Sequence, residues 1–344
     1  MVIESTATDT VASLGENESL RRTVSRLNVG EIAGEWTLVG PGDDCAVISA
    51  PDGRVLVTTD TMVEGHDFRL DWSSWFDLGW KAVATNVSDI AAMGGKPTSL
   101  VVALVVPPST LVAALEAFAD GLREACLALA PGCSVVGGDL ASGDLVVVAV
   151  TAHGTLEGRE PVLRSGAQVG DVVAVAGTLG LAACGLDLLL SGRADLVAAW
   201  DEWVGVQRRP NPPVALGVAA ADAGATSMLD LSDGLARDAA RVAKASGVSF
   251  DLSASALLGF EARVEGAAQA LSGGDSVATA RLTRQWVLGG GEDHGLLATF
   301  PASAVLPRGF RPIGVVGTES PGSVASVTLD GVPIGELGWD STSH

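Results

Sequence analysis

The chain has 344 residues, and its composition already excludes several classes of protein. Lys and Arg number 21 against 41 Asp and Glu, a formal net charge of -20, which excludes the basic surface that nucleic acids and anionic membranes require. An apolar share of 47% with a charged share of 18% excludes an intrinsically disordered chain. At roughly 150 residues per domain, the length predicts two domains. Any anionic ligand would need a counterion other than Lys or Arg to neutralise much of its charge.

Strand and helix patterns alternate through the first half of the chain. Residues 1–20 are polar and acidic, so they predict a loosely ordered lead-in that lacks the basic and apolar segments of a secretory signal. Beyond them, β-branched and apolar runs predict strands, and apolar residues at helical spacing predict helices. The predicted strands cover 54–59, 99–106, 134–136 and 145–151, and the predicted helices cover 75–93 and 111–129. Glycines then indicate a domain junction at 154–170.

The second half shows the same alternation. The predicted strands cover 171–176 and 248–252, and the predicted helices cover 179–190, a segment after the prolines of 209–213, and about 233–246. From residue 311 onward the sequence predicts short strands and turns. Elements of both kinds in each half predict an α/β or α+β fold with two domains, 1–157 and 158–344.

The cysteines and the uncharged segments bear on the cellular compartment. The cysteines are Cys45, Cys126, Cys133 and Cys184, and no Cys-x-x-Cys or other metal-ligand spacing occurs among them. This pattern favours buried, reduced thiols in a cytoplasmic protein. The longest uncharged stretch, 97–115, is interrupted by Pro107 and Pro108, so it is not predicted to span a membrane. We therefore expect a cytoplasmic protein without a membrane partner.

Acidic residues recur at turns and where the predicted strands end. They are Asp43 and Asp44, Asp60, Asp139, Asp230 and Asp233, and Glu292 and Asp293. Each alone is typical of an ordinary turn or helix N-cap. Asp89 is different, because it lies three residues after Asn86 in an apolar predicted helix, where an unpaired charge is costly. Together these carboxylates favour an Mg²⁺ site, which would let an acidic protein accept a polyphosphate.

The common phosphate-binding motifs do not occur in this sequence. The segment Gly94-Gly95-Lys96-Pro97 lacks the spacing and the final Ser or Thr of a Walker A motif. No Gly-x-Gly-x-x-Gly segment follows a predicted strand, and the motifs of protein kinases are missing. A phosphoryl-transfer enzyme with this sequence would belong to neither common class. A non-catalytic acidic ion-binding or scaffold protein is the alternative that these residues leave open.

Eight segments, taken in order, resemble the thiamine-monophosphate kinase family over nearly the whole chain. They are GDDCAVI (42–48), TTDTMVEGHDF (58–68), KAVATNVSDIAAMG (81–94), GGD (137–139), LRSGA (163–167), RPNP (209–212), LDLSDGL (229–235) and GGGED (289–293). The resemblance implies ATP-dependent phosphorylation of thiamine monophosphate to thiamine diphosphate with several Mg²⁺ ions. It also implies the fold shared with aminoimidazole ribonucleotide synthetase, in which an N-terminal mixed sheet with helices is followed by a C-terminal α+β domain.

The resemblance further implies how the two domains work. The domain 1–157 would bind ATP and Mg²⁺ and would pair with its copy in a homodimer. The domain 158–344 would complete the nucleotide and substrate site. The nearer alternative is another ATP-dependent synthetase of the same superfamily. A selenophosphate synthetase, for example, would require a reactive Cys or selenocysteine with a Lys near the N-terminus.

The family's functional positions carry over to this sequence residue by residue. The implied metal ligands are Asp44, Thr58, Thr59, Asp60, Asp89, Asp139, Asp230 and Asp233. The implied nucleotide contacts are Gly138, Asp139, Arg164 and Ser232. The implied contacts with thiamine monophosphate are Asp67, Glu292 and Trp339. Asp60, Asp89, Asp139 and Arg164 form the implied catalytic set.

Departures from the family pattern affect the substrate side. One is Leu140 after Gly137-Gly138-Asp139, where a small hydroxyl residue is common in relatives. The segment Gly65-His66-Asp67-Phe68 offers either His66 or Asp67 for the contact that a His makes in many relatives. After Glu292-Asp293, this chain has His294-Gly295 where relatives have an aromatic residue followed by an acidic one. The sequence leaves the choice between His66 and Asp67 open.

Overall fold

The computed structural model describes residues 8–27, 35–39, 47–318, 327–335 and 337–338. The chain forms two compact units. The first comprises Met1–Ile90 and Lys96–Gly158, and the second comprises Ala91–Gly95 and Arg159–His344. None of the helices within the described residues has both the length and the apolar content of a membrane span.

The first unit is built on a mixed sheet. Its elements are α1 (Val11–Leu14), α2 (Glu16–Leu27), β1 (Thr37–Val39), β2 (Val47–Ile48), β3 (Leu56–Val63), α3 (Trp75–Ala92), β4 (Lys96–Val106), α4 (Val112–Leu129), β5 (Ser134–Ser142) and β6 (Val147–Thr155). Among the described residues the main sheet has the strand order β3-β6-β4-β5. Strands β4 and β5 run parallel, and the other neighbours run antiparallel. This arrangement confirms the predicted mixed sheet with helices.

The two faces of this sheet differ in exposure. On β3, Thr59 and Thr61 are exposed, while Met62 is buried. Strand β6 shows the same alternation, with half-buried residues between buried ones. Because successive side chains of a strand point to opposite faces, Thr58 and Asp60 lie on the buried face with Met62. The other face of the sheet is largely open.

Two glycines let helices α3 and α4 pack at very short range. A Cβ atom at Gly79 would overlap the carbonyl oxygen of Phe118, and a Cβ atom at Gly121 would overlap the carbonyl oxygen of Phe76. The reciprocal contact therefore requires glycine at both positions, because only a residue without a Cβ permits such close backbone approach. This packing fixes α3, the helix that carries Asp89.

The N-terminal segment is more ordered than the sequence predicted. Thr10 caps helix α1, since the backbone N–H of Ser13 donates to the Thr10 hydroxyl at 3.1 Å. On α2, the buried Arg22 pairs with Asp9 at 3.1 Å and with Glu116 of α4 at 2.8 Å. The prediction of a loosely ordered lead-in is therefore wrong for residues 11–20. The stabilising partner Glu116 is 94 residues away from Arg22, and local composition does not reveal it.

The second unit is an α+β arrangement around a larger sheet. Its elements are β7 (Val172–Ala176), α5 (Leu181–Leu190), α6 (Ala194–Ala199), α7 (Asp201–Arg208), α8 (Ala215–Asp222), β8 (Ser227–Leu231), α9 (Leu235–Ser246), β9 (Val248–Leu252), α10 (Ala254–Leu271), α11 (Ser276–Gly289), β10 (Gly295–Phe300), β11 (Phe310–Thr318), β12 (Val327–Leu329) and β13 (Val332–Pro333). Its strand order, within the part of the chain described, is β13-β12-β9-β11-β7-β10-β8. Strand β10 pairs antiparallel with β8, and Gly295 lies opposite Leu231. The loop after β8 and the loop before β10 are therefore neighbours.

Three cysteines are free and buried, as the sequence predicted. They are Cys126, Cys133 and Cys184. Burial raises the pKa of the Cys184 thiol to about 12, so this thiol is protonated and unreactive at neutral pH. Cys45 lies outside the described residues.

Candidate active site

Strand β3 and helix α3 bring two predicted metal ligands into contact. The hydroxyl of Thr58 donates a hydrogen bond of 2.7 Å to Oδ2 of Asp89. The neighbouring Thr59 points to the opposite face, and its hydroxyl donates to the carbonyl oxygen of Val150 at 2.9 Å. Asp89 is half-buried, so the hydrogen bond from Thr58 offsets part of the cost of placing a carboxylate there.

Asp60 and Asp139 lie inside strands rather than at the strand ends predicted from sequence. Strand β3 continues past Asp60 to Val63, and β5 continues past Asp139 to Ser142. The two expectations that these residues terminate strands were therefore wrong. Both strands continue because their backbone groups stay paired with β6 and β4, respectively.

The register of the sheet sets the separation between these two carboxylates. Asp139 pairs with Ala103, which pairs with Ala149, which pairs with Thr61. Asp139 is thus in line with Thr61, the residue that follows Asp60. Strands β3 and β5, however, are at opposite edges of the sheet. Three strand spacings of about 4.8 Å place the two backbones roughly 14 Å apart. Asp139 is level with Thr61, whose side chain points to the face opposite to that of Asp60, so the sheet does not bring these two carboxylates together.

Gly138 is a position where only glycine fits. A Cβ atom there would overlap the carbonyl oxygen of Val102 on β4. Gly138 and Asp139 are both exposed on the edge strand β5. A backbone without a side chain at this edge is accessible to a ligand, as the sequence prediction of a nucleotide contact requires.

The turn after β3 uses the Asp67 carboxylate for its own geometry. Oδ2 of Asp67 accepts a hydrogen bond of 2.7 Å from the backbone N–H of Val63. The ammonium group of the buried Lys81 donates to the carbonyl oxygen of Asp67 at 3.4 Å. His66, by contrast, is exposed. Asp67 therefore shapes the turn that presents His66, and the choice of the substrate contact between these two residues stays a prediction.

In the second unit, Asp230 is buried near the end of β8. The Asp230 side chain is paired with His294, whose Nδ1 lies 3.3 Å from Asp230 Oδ2. Both residues are buried. The departure from the family pattern at position 294 therefore places an imidazole against a predicted metal ligand.

A second carboxylate, which the sequence analysis did not single out, organises the loop after β8. Oδ2 of Asp238 accepts hydrogen bonds from the backbone N–H groups of Asp233 at 3.0 Å and Gly234 at 3.1 Å. Arg241 pairs with Asp238 at 2.7 Å and also with the carboxylate of Asp233. Burial and the charge of Asp230 raise the pKa of Asp238 to about 7. The available sequence signal was its position in the first turn of a helix, where a carboxylate can accept from free amides.

The loops that hold Ser232 and Glu292 are joined through their backbones. The N–H of Glu292 donates to the carbonyl oxygen of Ser232 at 2.9 Å. Nε2 of Gln207, on α7, donates to Oε2 of Glu292 at 3.2 Å. The structure thus brings together a predicted nucleotide contact and a predicted substrate contact.

The loop of Arg164 is pinned by one serine. The hydroxyl of Ser246 donates to the carbonyl oxygen of Arg164 at 3.0 Å and accepts from the N–H groups of Gly166 at 3.1 Å and Ala167 at 3.2 Å. The Arg164 side chain itself is exposed. A fixed backbone with an exposed guanidinium suits the recognition of a phosphate group.

Two predicted site residues, Asp44 and Trp339, lie outside the described residues. The residue before Trp339 is described. Gly338 has a φ of +128°, and a Cβ atom there would lie 2.8 Å from the carbonyl oxygen of Asp233. The chain therefore passes the loop after β8 immediately before Trp339.

The donor atoms of the predicted metal ligands suit Mg²⁺. They are carboxylate and hydroxyl oxygens, which hard divalent cations prefer. Within the described residues, no three His, Cys, Asp or Glu side chains lie together as a metal-binding group. Proteins usually hold Mg²⁺ with one or two carboxylates, and substrate phosphates and water complete the coordination. The donor set fits the ion, and the assignment of individual ligands stays a prediction.

Comparison with known proteins identifies the family. Residues 42–156 match the family model described as "AIR synthase related protein, N-terminal domain". A thiamine-monophosphate kinase of Mycobacterium tuberculosis is 43% identical over 340 residues, covering 98% of this chain and 94% of that protein. The crystal structure of a thiamine-monophosphate kinase from Stenotrophomonas maltophilia K279a is similar with a TM-score of 0.74 and 30% identity, over 92% of this chain and 97% of that one. The structure of AaThiL complexed with AMPPCP and TMP gives a TM-score of 0.71 and 28% identity, over 94% of each chain. These comparisons confirm the predicted fold, and the chain belongs to the thiamine-monophosphate kinase family.

Proposed function

We propose that this chain transfers the γ-phosphoryl group of ATP to thiamine monophosphate and so forms thiamine diphosphate. The observation that carries this proposal is the 43% identity to a thiamine-monophosphate kinase over 98% of the chain. The similarity to AaThiL complexed with AMPPCP and TMP supports it, because AMPPCP is an analogue of ATP. The same identity argues against a sister synthetase of the superfamily and against a non-catalytic scaffold.

The reaction needs alignment and charge neutralisation more than proton removal. A phosphate monoester has a second pKa of about 6, so the attacking oxygen of thiamine monophosphate is largely ionised at neutral pH. A strong general base is therefore unnecessary. The attack runs in line with the bond between the γ-phosphorus and the leaving oxygen, and the two anionic substrates must be held together against their repulsion.

We assign metal binding to the carboxylates and hydroxyls that the family pattern marks. Mg²⁺ held there would supply positive charge next to the phosphates. Asp44, Asp60, Asp89, Asp139, Asp230 and Asp233 would hold the ions together with Thr58. The family pattern also marks Thr59, whose side chain points to the opposite face of the sheet and donates to Val150. The hydrogen bond of 2.7 Å from Thr58 to Asp89 supports this assignment, because it joins the Asp89 carboxylate to the strand that carries Asp60.

We assign nucleotide binding to Gly138, Asp139, Arg164 and Ser232. Arg164 supports this assignment through its pinned backbone and exposed guanidinium, which can donate two parallel hydrogen bonds to phosphate oxygens. The carbonyl oxygen of Ser232 accepts a hydrogen bond from the Glu292 N–H, which ties the loop of Ser232 to that of Glu292. These residues bind and orient the donor.

We assign recognition of thiamine monophosphate to Asp67 or His66, to Glu292 and to Trp339. Glu292 supports this assignment because Gln207 orients its carboxylate at 3.2 Å. A fixed carboxylate can attract the cationic thiazolium ring of the substrate. An aromatic side chain such as Trp339 can stack on the same cation.

We further propose a cytoplasmic homodimer that pairs through the sheet of the first unit. Support comes from the open face of that sheet, where Val57 is 63% exposed and Ala103 is also exposed. Solvated faces of antiparallel sheets are commonly polar, so apolar residues there favour a covered surface. Reduced thiols support the cytoplasm. We assign ATP and Mg²⁺ binding mainly to residues 1–157, and the remaining nucleotide and substrate contacts to residues 158–344.

Purified protein with ATP, Mg²⁺ and thiamine monophosphate tests the proposed function. We expect equal amounts of ADP and thiamine diphosphate, separated and measured by chromatography. Unphosphorylated thiamine serves as the matched control and should give no product, since it lacks the attacking phosphate oxygen. Formation of ADP only with another acceptor would favour a sister synthetase. No binding of ATP by calorimetry would favour the scaffold.

A further inference from the structure

A buried carboxylate outside the predicted site anchors the loop before β10. Asp293 is 3% exposed. Its Oδ1 accepts a hydrogen bond of 2.6 Å from the hydroxyl of Thr178 and one of 3.3 Å from the N–H of Leu181, at the start of helix α5. Oδ2 of Asp293 is buried without a hydrogen-bond partner in the described part of the chain. The carboxylate therefore joins two loops at a cost in desolvation.

The residues on either side of Asp293 have unusual backbone conformations. Glu292 has a φ of +67° and His294 a φ of +49°, in the left-handed region that residues with a Cβ rarely adopt. Such conformations persist where the surrounding structure fixes them, and they cluster at functional sites. The short segment 292–294 is therefore held against its own conformational preference.

Bonds on two sides hold this segment. On one side, the N–H of Glu292 donates to Ser232 at 2.9 Å, and the N–H of His294 donates to the carbonyl oxygen of Leu231 at 3.1 Å. On the other side, Asp293 accepts hydrogen bonds from the hydroxyl of Thr178 and the N–H of Leu181. The segment 292–294 is thus held by the side-chain bonds of Asp293 on one side and by the backbone bonds of Glu292 and His294 on the other, and we call this set of bonds the clamp.

We propose that Asp293 is a positioning residue that holds Glu292 in the orientation needed to bind the acceptor substrate. It acts by fixing the left-handed turn 292–294 against the first turn of α5, and it does not touch the substrate itself. The inference rests on the proposed function, in which Glu292 contacts thiamine monophosphate. It adds to that function a residue whose effect passes through Glu292.

Three substitutions and one control test the inference by steady-state kinetics. Asp293→Ala removes both bonds, and we expect the KM for thiamine monophosphate to rise about tenfold while the KM for ATP stays within twofold. Asp293→Asn keeps an acceptor oxygen for Thr178 and Leu181, so its KM should stay within threefold of the wild type. Thr178→Val removes only the bond of 2.6 Å and should raise the same KM about threefold.

The matched control is Asp187→Ala, on α5, the helix whose first residue Leu181 donates to Asp293. Oδ2 of Asp187 accepts a hydrogen bond of 2.7 Å from Nε1 of Trp286, so its removal should lower the melting temperature without changing the KM for thiamine monophosphate. An Asp293→Ala variant that behaves in the same way, with a lower melting temperature and an unchanged KM, would overturn the positioning role.

Hydrogen exchange separates this inference from the proposed function, because it needs no substrate. The N–H groups of Glu292 and His294 should exchange at least tenfold faster in Asp293→Ala than in the wild type, and at the wild-type rate in Asp187→Ala. Faster exchange in a protein that proves unable to phosphorylate thiamine monophosphate would retain the clamp and overturn the proposed function. Unchanged exchange would overturn the clamp, whatever the activity.

Discussion

The hydroxyl of Thr58 lies 2.7 Å from Oδ2 of Asp89, and this hydrogen bond joins strand β3 to helix α3 across 31 residues of sequence. The two side chains belong to separate segments of the family pattern. Their contact places the carboxylate of α3 beside the strand that carries Asp60. The predictions below start from this pair.

We expect Asp89→Asn and Asp60→Asn each to lower kcat at least 100-fold while the melting temperature changes little. Each amide keeps the shape of the side chain and an acceptor oxygen but loses the charge that would hold Mg²⁺. Steady-state kinetics at saturating ATP and Mg²⁺, with thermal melts, checks both effects. Asp222→Asn, an exposed carboxylate on α8, serves as the control. A variant at position 60 or 89 with a near-normal rate at saturating Mg²⁺ would contradict the assignment.

Thr58→Val should lower kcat about tenfold, whereas Thr58→Ser should keep kcat close to that of the wild type. Valine has nearly the same shape but cannot donate the hydrogen bond to Asp89, and hydrogen bonds to charged groups contribute about 1.5 to 3 kcal/mol. Serine retains the donor. The same kinetic assay distinguishes the two variants. Equal rates for the valine and serine variants would show that the bond has no part in catalysis.

Asp293 gives a prediction for the pH dependence of stability. Burial raises its pKa from 3.8 to about 6, so the folded state binds this proton more tightly than the unfolded state does. The contribution of Asp293 to stability therefore falls as the pH rises from about 4 to 6, and it is constant above that range. Relative to the wild type, Asp293→Asn should gain about 3 kcal/mol across that window. Urea unfolding at several pH values measures the difference, and a difference independent of pH would contradict the raised pKa.

Arg241→Met should destabilise the protein by about 2 kcal/mol. The substitution leaves the fully buried carboxylate of Asp238 without its cationic partner, and such losses are costly, although the partial exposure of Arg241 reduces the effect. Arg193→Met is the matched control, because Arg193 and Asp195 form an exposed pair whose loss should cost less than about 1 kcal/mol. Equal losses of unfolding free energy for the two variants would show that the Arg241–Asp238 pair stabilises the protein no more than an exposed pair does.

Val57→Glu should convert the proposed dimer into monomers. A carboxylate on the open face of the sheet would be buried without a partner in a sheet-to-sheet interface. Val305→Glu places the same charge at a residue that is 88% exposed in the second unit and should leave the assembly unchanged. Sedimentation velocity measures the mass of each species. A wild-type chain that sediments as a monomer would refute the proposed pairing.

Much of the first unit could be predicted from local pattern, because its strands and helices have clear apolar periodicity. The predicted helix 75–93 corresponds to α3, Trp75–Ala92. Strand ends were less predictable. Asp60 and Asp139 resemble turn residues in sequence, yet hydrogen bonds with β6 and β4 carry both strands past them. Pairing with a neighbouring strand decided where these strands stop, and that information is not local.

The roles of Asp238 and Asp293 could not be predicted for the same reason, because they depend on contacts that the local sequence does not show. Asp238 is one of many carboxylates near the start of a helix, and its importance comes from accepting the N–H groups of Asp233 and Gly234 while it is fully buried. Asp293 was noticed only as part of an acidic turn. Its partner Thr178 is 115 residues away, so no short-range pattern could have connected them.

The sequence by itself determined the family, the mixed α/β character and the residue types available for phosphate and metal chemistry. An ordered set of short motifs can be recognised in a sequence without knowing which residues are in contact. The tertiary structure decided which of those residues meet. Thr58 reaches Asp89, His294 reaches Asp230, and Asp293 fixes the turn of Glu292. The physical reason is that hydrogen bonds and burial depend on distances through space, which chain folding sets and spacing along the chain does not.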